Sequence, residues 1–522
     1  MHIVSLAASG GSLKVEAGAG TGKTSTLVDI ARALKARRGT YIAFNRAIAD
    51  EARRRFPQNV RSSTAHALAF RAVGHYYKAR LDQRLTPWVV SEALHLPRTA
   101  FNLDPAFQAQ LLLGFITRFC QSAERAIGLR HAPAQELLRA VKPERGVLER
   151  SVMRDRARAL GRELLPQANS LWAALIDPRG RLPITHDVYL KLWALERPHI
   201  PGDFILFDEA QDANPIMLEL VRNQQHAQHI WVGDTFQSIY QWRGAVNAMA
   251  AIATEHTAPL TQSFRFGEAV AGLANAILKS IAGAEGTLRG TPTIDSRIAR
   301  LERPRAILSR TNLGVIGQVL DCLQDNRKPM VAGGVRELLR LLESAEKLMH
   351  GVPVVSGDLA GFRDWESLVE YSESELGRDL QPLVKMVDEY GARLLIKRIE
   401  PLEGLPESRA DLIVSTAHKS KGLEWDSVLL DADFKGHDEE ADPAELTARA
   451  NLLYVAATRG MRTLDISLCE PACAAIGVAG ESLPLATPEA RQASQATGGQ
   501  ATPPQGARGA TAAAVDALLG QG

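Results

Sequence analysis

Residues 15–24 read VEAGAGTGKT, and this stretch decides the fold. A short apolar run, Leu13 to Val15, precedes the glycines, and an amphipathic segment, Thr24 to Ala36, follows them. A strand, a glycine-rich loop and a helix in this order form a P-loop, which cradles the phosphates of a nucleotide. The first motif position holds Ala17 in place of glycine, so the motif has the form AxxGxGKT.

Each part of this loop has a physical task in phosphate binding. Glycines let the backbone fold tightly, so that successive N–H groups point at phosphate oxygens, and the helix N-terminus adds partial positive charge. We expect the Lys23 ammonium to reach the β- and γ-phosphates and the Thr24 hydroxyl to hold Mg²⁺. The residues predicted to bind the nucleotide here are Ala17, Gly18, Ala19, Gly20, Thr21, Gly22, Lys23 and Thr24.

The composition excludes several classes of protein. The chain has 522 residues, 45% of them hydrophobic and 23% charged, with a formal net charge of +2, which is typical of a soluble multidomain protein. No apolar run reaches the length of about 18 residues that a membrane span requires, and no secretory signal pattern is present. Four scattered cysteines predict neither a disulfide framework nor a zinc module, so we expect a cytoplasmic protein.

The charge is unevenly distributed along the chain. Residues 31–85 carry thirteen Lys or Arg against three Asp or Glu, and the run Arg53, Arg54 and Arg55 falls on a predicted helix. Such a cluster is either a solvated helix face or a phosphate-binding surface. The charge pattern alone leaves both interpretations open.

Short apolar strands recur, and most lead into a polar loop and then a helical pattern, which is typical of parallel α/β layers. The predicted strands are 41–44, 204–207, 230–232, 306–308, 412–414 and 428–430. Residues 75–195 and 335–400 have helical patterns only, including helices at 107–125, 134–141, 336–349 and 380–399. From residue 484 onward the chain lacks aromatic residues and is rich in Ala, Gln, Gly, Pro and Thr, which predicts a disordered tail.

A second motif, FDEAQD at 207–212, places two adjacent carboxylates at the end of an apolar strand. A P-loop enzyme has its metal-binding carboxylate at such a strand end. We expect Asp208 to hold Mg²⁺ through water, and Glu209 to orient and deprotonate the attacking water.

A third motif, VGDTFQSIYQWRGA at 232–245, follows another predicted strand. Gln237 is a neutral donor that could sense the γ-phosphate. Tyr240 and Trp242 alternate beside Arg243, so in an extended segment the two rings share a face. Polar residues surround both rings, which favours a stacking platform for unpaired bases over core packing.

These motifs together resemble the UvrD/Rep/PcrA type of superfamily 1 helicase, and most closely the bacterial relatives of the F-box DNA helicase. The similarity covers nearly all of residues 13–470. Its further signatures, in family order, are AFNRAIADEA at 43–52, STAHALAFRAV at 63–73, LTQSFRFGEAVAGLANAIL at 260–278, ILSRTN at 307–312, STAHKSKGLEWDSVLL at 415–430 and NLLYVAATR at 451–459.

The resemblance implies an α/β fold with two RecA-like P-loop domains, each a parallel sheet interrupted by a mainly helical insertion. The implied boundaries are 1–74 with 196–256 for the first domain, 75–195 for its insertion, 257–320 with 408–483 for the second domain, 321–407 for a short second insertion, and 484–522 for the tail.

The resemblance also implies roles for individual residues. Phe264 matches an aromatic that stacks on adenine, and Glu424 matches a residue near the ribose. Arg265 and Arg459 match two arginines that the second domain contributes to the γ-phosphate, where a guanidinium spreads positive charge over the phosphoryl oxygens. The positions that match contacts to the DNA strand, or its coupling to ATP, are Phe44, Asn45, Thr64, His66, His418 and Lys419.

Two departures from the family pattern stand out. The family has an adenine-reading glutamine roughly 18 residues before the P-loop, but Met1 precedes Ala17 by only 16 positions and no glutamine lies between them. We hypothesise that a segment before Met1 is missing. The second insertion is also short, which leaves unwinding power and partner contacts open.

The primary hypothesis is an ATP- and Mg²⁺-dependent 3′→5′ DNA helicase with a monomeric core, acting on single-stranded and 3′-tailed duplex DNA in repair or recombination. A second hypothesis is a translocase that strips proteins from DNA and unwinds poorly. A third is a nucleotide-gated DNA-binding scaffold without productive hydrolysis, which the presence of Glu209, Arg265 and Arg459 disfavours. An RNA helicase of the same superfamily is a further alternative.

Overall fold

The structure is a computed structural model that describes residues 2–43, 45–82, 85–96, 103–141, 150–239, 248–281, 284, 286–355, 357–360, 362–373, 380–434 and 443–486. The predicted DNA-contact residues Phe44, Tyr240, Trp242 and Arg243 lie outside this set, as does the predicted tail from residue 487 onward.

Six strands form the first sheet: β1 (Leu13–Ala17), β2 (Gly39–Ala43), β3 (Val60–Thr64), β4 (Phe204–Phe207), β5 (Gln228–Gly233) and β6 (His256–Leu260). They are parallel, in the order β3-β2-β4-β5-β1-β6. Every residue of β2 and β4 is buried, as expected for inner strands of a parallel sheet with both faces covered. Because β6 pairs with β1, the first sheet extends to Leu260, beyond the boundary predicted at residue 256.

The helices of the first domain are α1 (His2–Ala8), α2 (Lys23–Ala33), α3 (Arg46–Arg55), α4 (Ala65–Ala72), α11 (Pro215–Arg222) and α12 (Ala248–Ala251). Between α4 and β4, the first insertion is helical in the residues described, as the sequence predicts. It contains α5 (Lys78–Leu81), α6 (Pro87–Leu94), α7 (Pro105–Gln121), α8 (Ala134–Ala140), α9 (Arg150–Ile176) and α10 (His186–Leu195). Its core is continuous with that of the first sheet, because Phe115 and Leu164 belong to the same buried cluster as Ile205 and Phe207.

The second sheet also has six parallel strands: β7 (Arg297–Ile298), β8 (Ala306–Ser309), β9 (Pro329–Val331), β10 (Leu412–Thr416), β11 (Trp425–Leu430) and β12 (Gly460–Asp465). Their order is β7-β12-β11-β8-β10-β9. Helices α13 (Glu268–Lys279), α14 (Asn312–Gln324), α19 (Pro443–Ala457) and α20 (Glu470–Ala475) accompany it. Strand β9 pairs with β10, so the sheet includes residues that the sequence assigned to the insertion 321–407.

The second insertion contains α15 (Arg336–Met349), α16 (Trp365–Glu373), α17 (Gln381–Tyr390) and α18 (Ala392–Ile399). Helix α15 has the predicted bounds. The single helix predicted over 380–399 is wrong, because Gly391 has φ +77° and separates α17 from α18. A left-handed residue cannot continue a right-handed helix, and glycine adopts that conformation at little cost.

The tail was predicted to begin at residue 484, but residues 484–486 pair with the second domain. The Arg300 N–H donates to the Pro484 carbonyl, and the Ala486 N–H donates to the Arg300 carbonyl.

In the described ranges, no helix is both long enough and apolar enough to cross a bilayer.

Lys191 is a buried cation in the first insertion. Its ammonium donates to the carbonyls of Ser122 (2.7 Å) and Glu124 (2.6 Å) and lies 4.3 Å from the centroid of the Phe119 ring. Burial lowers the pKa of Lys191 to about 8. The unfolded chain would keep this proton to about pH 10.5, so unfolding takes up a proton between these pH values. The stability contributed by this group therefore rises with pH across that window.

We expect Lys191→Met to lower the free energy of unfolding by about 1–3 kcal/mol at neutral pH, because two buried carbonyls lose their donor. The deficit relative to the unmodified chain should be larger at about pH 10, where the lysine has lost its desolvation penalty. Urea unfolding at both pH values measures this. The exposed Lys385→Met is the control, and an equal deficit at both pH values would contradict the assignment.

Candidate active site

The P-loop connects β1 to α2 and has the backbone of a phosphate cradle. Gly20 and Gly22 have φ of +71° and +80°, and Gly22 caps the N-terminus of α2. A Cβ at Gly20 would lie only 2.6 Å from the Cβ of Arg265 and from the Oγ of Ser263. Besides its positive φ, this position therefore also lacks the space for a side chain. Glycine therefore serves both the turn and the close approach of the second domain.

Asp208 directly follows β4 and contacts the P-loop residue Thr24. Its carboxylate accepts hydrogen bonds from the Thr24 hydroxyl (3.3 Å), the Tyr41 hydroxyl (3.0 Å) and the Glu209 N–H (2.9 Å). Hydroxyl and carboxylate oxygens are ligands that Mg²⁺ prefers, and here the Thr24 hydroxyl and the Asp208 carboxylate are in contact. Thr24 and Asp208 thus have the chemistry to hold a magnesium ion, and their role as its ligands stays a prediction.

Glu209 adopts a backbone conformation that is rare outside glycine, with φ +53°. Its carboxylate lies 3.7 Å from the Lys23 ammonium and accepts a 2.5 Å hydrogen bond from the Gln211 amide. The left-handed turn directs the side chain into the cleft beside the P-loop lysine, where a water-activating base is needed.

The two neighbouring carboxylates have opposite pKa shifts. Burial and the charge of Glu209 raise the pKa of Asp208. Burial would also raise the pKa of Glu209, but the cations Lys23 and Lys421 outweigh it and hold that pKa below its usual range. Glu209 is therefore ionised at neutral pH, as a general base must be.

The second domain contributes two arginines to the same cleft. Arg265 donates from Nε to Glu424 (2.6 Å) and from Nη1 to the Thr458 carbonyl (3.4 Å). Arg459 is 1% exposed and donates to the carbonyls of Val455 and Leu423 and to the Thr458 hydroxyl. Burial and the nearby Arg265 lower the pKa of Arg459, which still leaves it charged at neutral pH.

Phe264 lies at the mouth of this cleft. Its N–H donates to the Gly20 carbonyl (2.8 Å), and its ring passes within 3.9 Å of the Cβ position of Gly22. The side chain is 68% exposed, which is unusual for a phenylalanine. An exposed ring beside a P-loop offers a stacking face for a nucleobase.

A cleft of about 400 Å³ lies between the two domains at this point. Its lining includes Gly20, Thr21, Gly22, Lys23, Thr24, Glu209, Asp212, Gln237, Arg265, Lys421 and Arg459. Four of the five predicted catalytic side chains, Glu209, Gln237, Arg265 and Arg459, lie more than 180 positions after Lys23, and the fold brings all five to one cleft.

A buried hydroxyl that the sequence analysis did not single out links the two walls. Tyr454, on α19, accepts a hydrogen bond from the Ala19 N–H of the P-loop (3.1 Å) and donates to Asp234 (3.2 Å). Asp234 also accepts the Gln237 amide at 2.6 Å. Tyr454 lies within the quoted NLLYVAATR motif, so position in a motif is the signal that could have found it.

A second link between the domains is an ion pair, also missed from sequence. Lys421 pairs with Asp212 and donates to the Gln237 carbonyl (2.8 Å). Burial raises the pKa of Asp212 to about 6 even though Lys421 opposes that shift. Asp212 is the last residue of FDEAQD, so the pair joins the carboxylate motif of one domain to the STAHKSKGLEWD motif of the other.

The predicted DNA-contact residues that the structure describes lie at carboxyl ends of strands. Asn45 follows the described end of β2 by two positions and caps α3 by accepting the Ile48 N–H (2.9 Å). Thr64 ends β3 and caps α4 by accepting the Ala67 N–H (3.1 Å). His66 is 3.0 Å from Asp187 of α10.

On the second domain, His418 and Lys419 follow β10, and both are partly exposed. The Lys419 ammonium pairs with Glu337 of α15 at 3.0 Å. Among the described residues, no group of three or more His, Cys, Asp or Glu side chains has the arrangement of a metal site.

Two family models match the chain. The model described as an AAA domain matches residues 1–243, and the model described as a UvrD-like helicase C-terminal domain matches residues 411–464. These spans contain the P-loop, both carboxylates and the motif that holds Lys421.

The chain is 31% identical over 505 residues to F-box DNA helicase protein 1 of Schizosaccharomyces pombe, a match covering 87% of this chain and 55% of that protein. It is 29% identical over 498 residues to F-box DNA helicase 1 of Gallus gallus, covering 87% of this chain and 47% of the relative. The chain thus spans about half the length of these curated relatives. The predicted resemblance to superfamily 1 helicases is confirmed, while closeness to a bacterial branch stays a prediction.

Tyr454→Phe tests the hydroxyl link between the domains. The variant keeps the ring but leaves the Ala19 N–H and the Asp234 carboxylate short of one partner each. We expect the turnover number for ATP to fall about tenfold, which corresponds to about 1.4 kcal/mol, because the arginine wall is no longer held in register. ATP binding to the P-loop wall should change little.

Steady-state ATPase rates and binding of a fluorescent ATP analogue measure the two effects. Tyr77→Phe is the matched control, since its buried hydroxyl donates to the Ile176 carbonyl (2.7 Å) in the first insertion. Equal losses of turnover in both variants would show that Tyr454 has only a general structural role.

Proposed function

Because this chain belongs to the UvrD-like helicases of superfamily 1, we propose that it hydrolyses ATP when bound to DNA. It uses that energy to move 3′→5′ along a single strand and to unwind 3′-tailed duplexes. The observation that carries the proposal is the cleft itself. There Lys23 and Glu209 of the first domain face Arg265 and Arg459 of the second.

The chemistry of hydrolysis follows from the charges in the cleft. Glu209, kept ionised by its cationic neighbours, would orient and deprotonate the attacking water. Lys23, Arg265 and Arg459 would stabilise the negative charge that develops on the phosphoryl oxygens. When bound, Mg²⁺ neutralises phosphate charge, and Thr24 and Asp208 would hold it.

Coupling to movement follows from the division of the site between two domains. ATP would draw the arginine wall toward the P-loop, and loss of the γ-phosphate would release it. Arg265 is paired with Glu424 at 2.6 Å, so its guanidinium would exchange a carboxylate for a phosphate on closure. The ion pair of Lys421 with Asp212 and the hydrogen bond from Tyr454 to Asp234 would transmit this movement of the second domain to the first domain.

The nucleic-acid path would cross the strand ends that carry Asn45, Thr64 and His66 on one domain and His418 and Lys419 on the other. Tyr240 and Trp242 belong to this proposal as base-stacking residues, and Phe44 and Arg243 belong to it as further DNA contacts. Contacts to the phosphate backbone should make binding weaken as salt rises. We further propose a monomeric core that acts in the cytoplasm, in DNA repair or recombination.

A translocase that strips proteins from DNA with little unwinding is the second candidate. The observation that favours it is the small second insertion, which the structure describes as four helices of 14 residues or fewer, α15 to α18. A strand-displacement assay separates the two. Duplexes with a 3′ tail, a 5′ tail or no tail are compared at saturating ATP, alongside removal of a protein block from single-stranded DNA.

Unwinding of the 3′-tailed duplex alone is the expected result. Block removal without unwinding would favour the second candidate, and unwinding of the 5′-tailed duplex would overturn the polarity. ATPase rates with single-stranded DNA, single-stranded RNA and neither test the choice of nucleic acid. Stimulation by RNA alone would overturn the proposed substrate.

Glu209→Gln tests the assignment of the general base. The amide cannot accept a proton, so we expect DNA-stimulated hydrolysis to fall by at least about 10²-fold while ATP binding persists. Phosphate release and nucleotide binding are measured on the same preparation. Glu219→Gln, on α11 outside the cleft lining, should leave both unchanged. Retained turnover in the Glu209 variant would refute the role.

A further inference from the structure

We propose that a basic groove along the free edge of the first sheet binds the sugar-phosphate backbone of single-stranded DNA. It would extend the strand's path beyond Asn45, Thr64 and His66. This inference rests on the proposed DNA-dependent activity and adds a binding surface to it. We call this surface the edge groove. It is defined by Lys35, Arg37, Arg38, Arg71 and strand β3, which includes Arg61.

The edge groove is the larger of the two cavities described, with a volume of about 1710 Å³. It exists because β3 is the outermost strand of its sheet, paired on one side only, with β2. Helix α10 of the first insertion contributes His186 and Tyr189 to the opposite wall. A groove of this kind can hold a continuous chain.

Its charge is of one sign. The lining includes seven Lys or Arg side chains and two histidines, and no Asp or Glu is among the described residues that line it. Arg46 and Arg53 are partly neutralised by Asp50 of α3, and Arg37 donates to Gln228 and to the Asp203 carbonyl. These three cations therefore have partners in the structure, as does Arg71, which donates to the Ala67 carbonyl and the Ser63 hydroxyl.

Three other cations are available to a ligand. Lys35, Arg38 and Arg61 are exposed, and their side chains have no ion-pair or hydrogen-bond partner in the part of the chain that the structure describes. Asp203 accepts the backbone N–H of Arg38 (2.8 Å) but forms no ion pair with its guanidinium among the described residues. Cations held on one surface without side-chain ion pairs create a positive potential that a polyanion relieves by displacing its own counterions.

The groove is continuous with the proposed DNA contacts and with the nucleotide cleft. Thr64 and His66 line one end of it, whereas Lys35 and Arg38 lie at the opposite end, before β2 begins. Strand β3 spans about 13 Å between these ends, at about 3.3 Å per residue. Asn45 lines both the groove and the nucleotide cleft. A strand bound in the groove would therefore continue directly from the proposed DNA contacts.

An acidic peptide that adds to the free edge of β3 is the competing occupant. The continuity with Thr64 and His66 favours nucleic acid, because a peptide would have no reason to follow the path toward the nucleotide cleft. Cations without fixed acceptor partners also suit a backbone of evenly spaced phosphates, which they would contact without reading sequence. We therefore commit to single-stranded DNA.

The test compares the triple variant Lys35→Ala, Arg38→Ala, Arg61→Ala with the unmodified chain in binding to oligo-dT. Oligonucleotides of about 8 and about 16 nucleotides bracket much of the usual range of single-strand site sizes. If all three cations contact phosphates, the slope of log affinity against log salt should fall by about 2 on the longer strand, at about 0.7 per contact. Binding of the shorter strand should change little.

A matched triple variant, Lys279→Ala, Arg340→Ala, Lys385→Ala, removes the same charge from exposed helix positions on the second domain and its insertion. It should leave the slope unchanged. The charge-reversed variant Lys35→Glu, Arg38→Glu, Arg61→Glu should weaken binding of the longer strand further, and thermal unfolding checks that each variant is folded.

An unchanged slope in the edge-groove variants would overturn the inference, as would competition by poly-glutamate as strong as that by DNA. If the ATPase is still stimulated by the short strand in that case, the proposed function stands without the groove. Absence of any DNA binding or stimulation in the unmodified chain would overturn both.

Discussion

The hydroxyl of Tyr454 is the contact on which the arrangement of the site depends. It joins three distant segments, because it receives the Ala19 N–H, belongs to α19 and donates to Asp234 after β5. It is buried, so water cannot replace either partner. Arg459 follows the same helix by two positions, and the hydroxyl that anchors α19 to the P-loop therefore also sets where that guanidinium lies.

Charge balance is the second constraint on the cleft. Four carboxylates, those of Asp208, Glu209, Asp212 and Asp234, lie among the cations of Lys23, Lys421, Arg265 and Arg459. Burial makes each isolated charge costly, so every ion depends on its neighbours. Adding a triphosphate to such a set requires cations to change partners, and the Arg265–Glu424 pair, with the carboxylate half exposed, is the one at the solvent side. Nucleotide binding is thereby linked to interdomain geometry.

The nucleotide cleft and the edge groove share Asn45, so the two surfaces are neighbours on the first domain. Asn45 lies between the cleft that is proposed to bind the phosphates of a nucleotide and a surface with the charge to bind the phosphates of a polymer. The nucleotide cleft uses the carboxyl ends of parallel strands, where backbone N–H groups and helix N-termini converge. The edge groove starts at the same end of β3 and runs along that strand to the amino end of β2. The proposed motor would then be one sheet with two phosphate-binding sides.

Local patterns determined much of this protein. The P-loop, the FDEAQD strand end, seven of the twelve described strands and helix α15 follow from hydrophobic period, glycine placement and charged residues at strand ends, which act over a few residues. Strands β3, β6, β7, β9 and β12 were not predicted. The break at Gly391, the pairing of β6 with the first sheet and of β9 with the second, and the order of 484–486 did not follow, because each depends on a turn or an edge partner that the local pattern does not contain. Tyr454, Lys421 and Asp212 lie in recognisable motifs, yet their partners are up to 435 positions away. Only the tertiary structure could decide those contacts, since burial beside a particular partner, and not residue type, makes a hydroxyl or an ion pair hold two domains together.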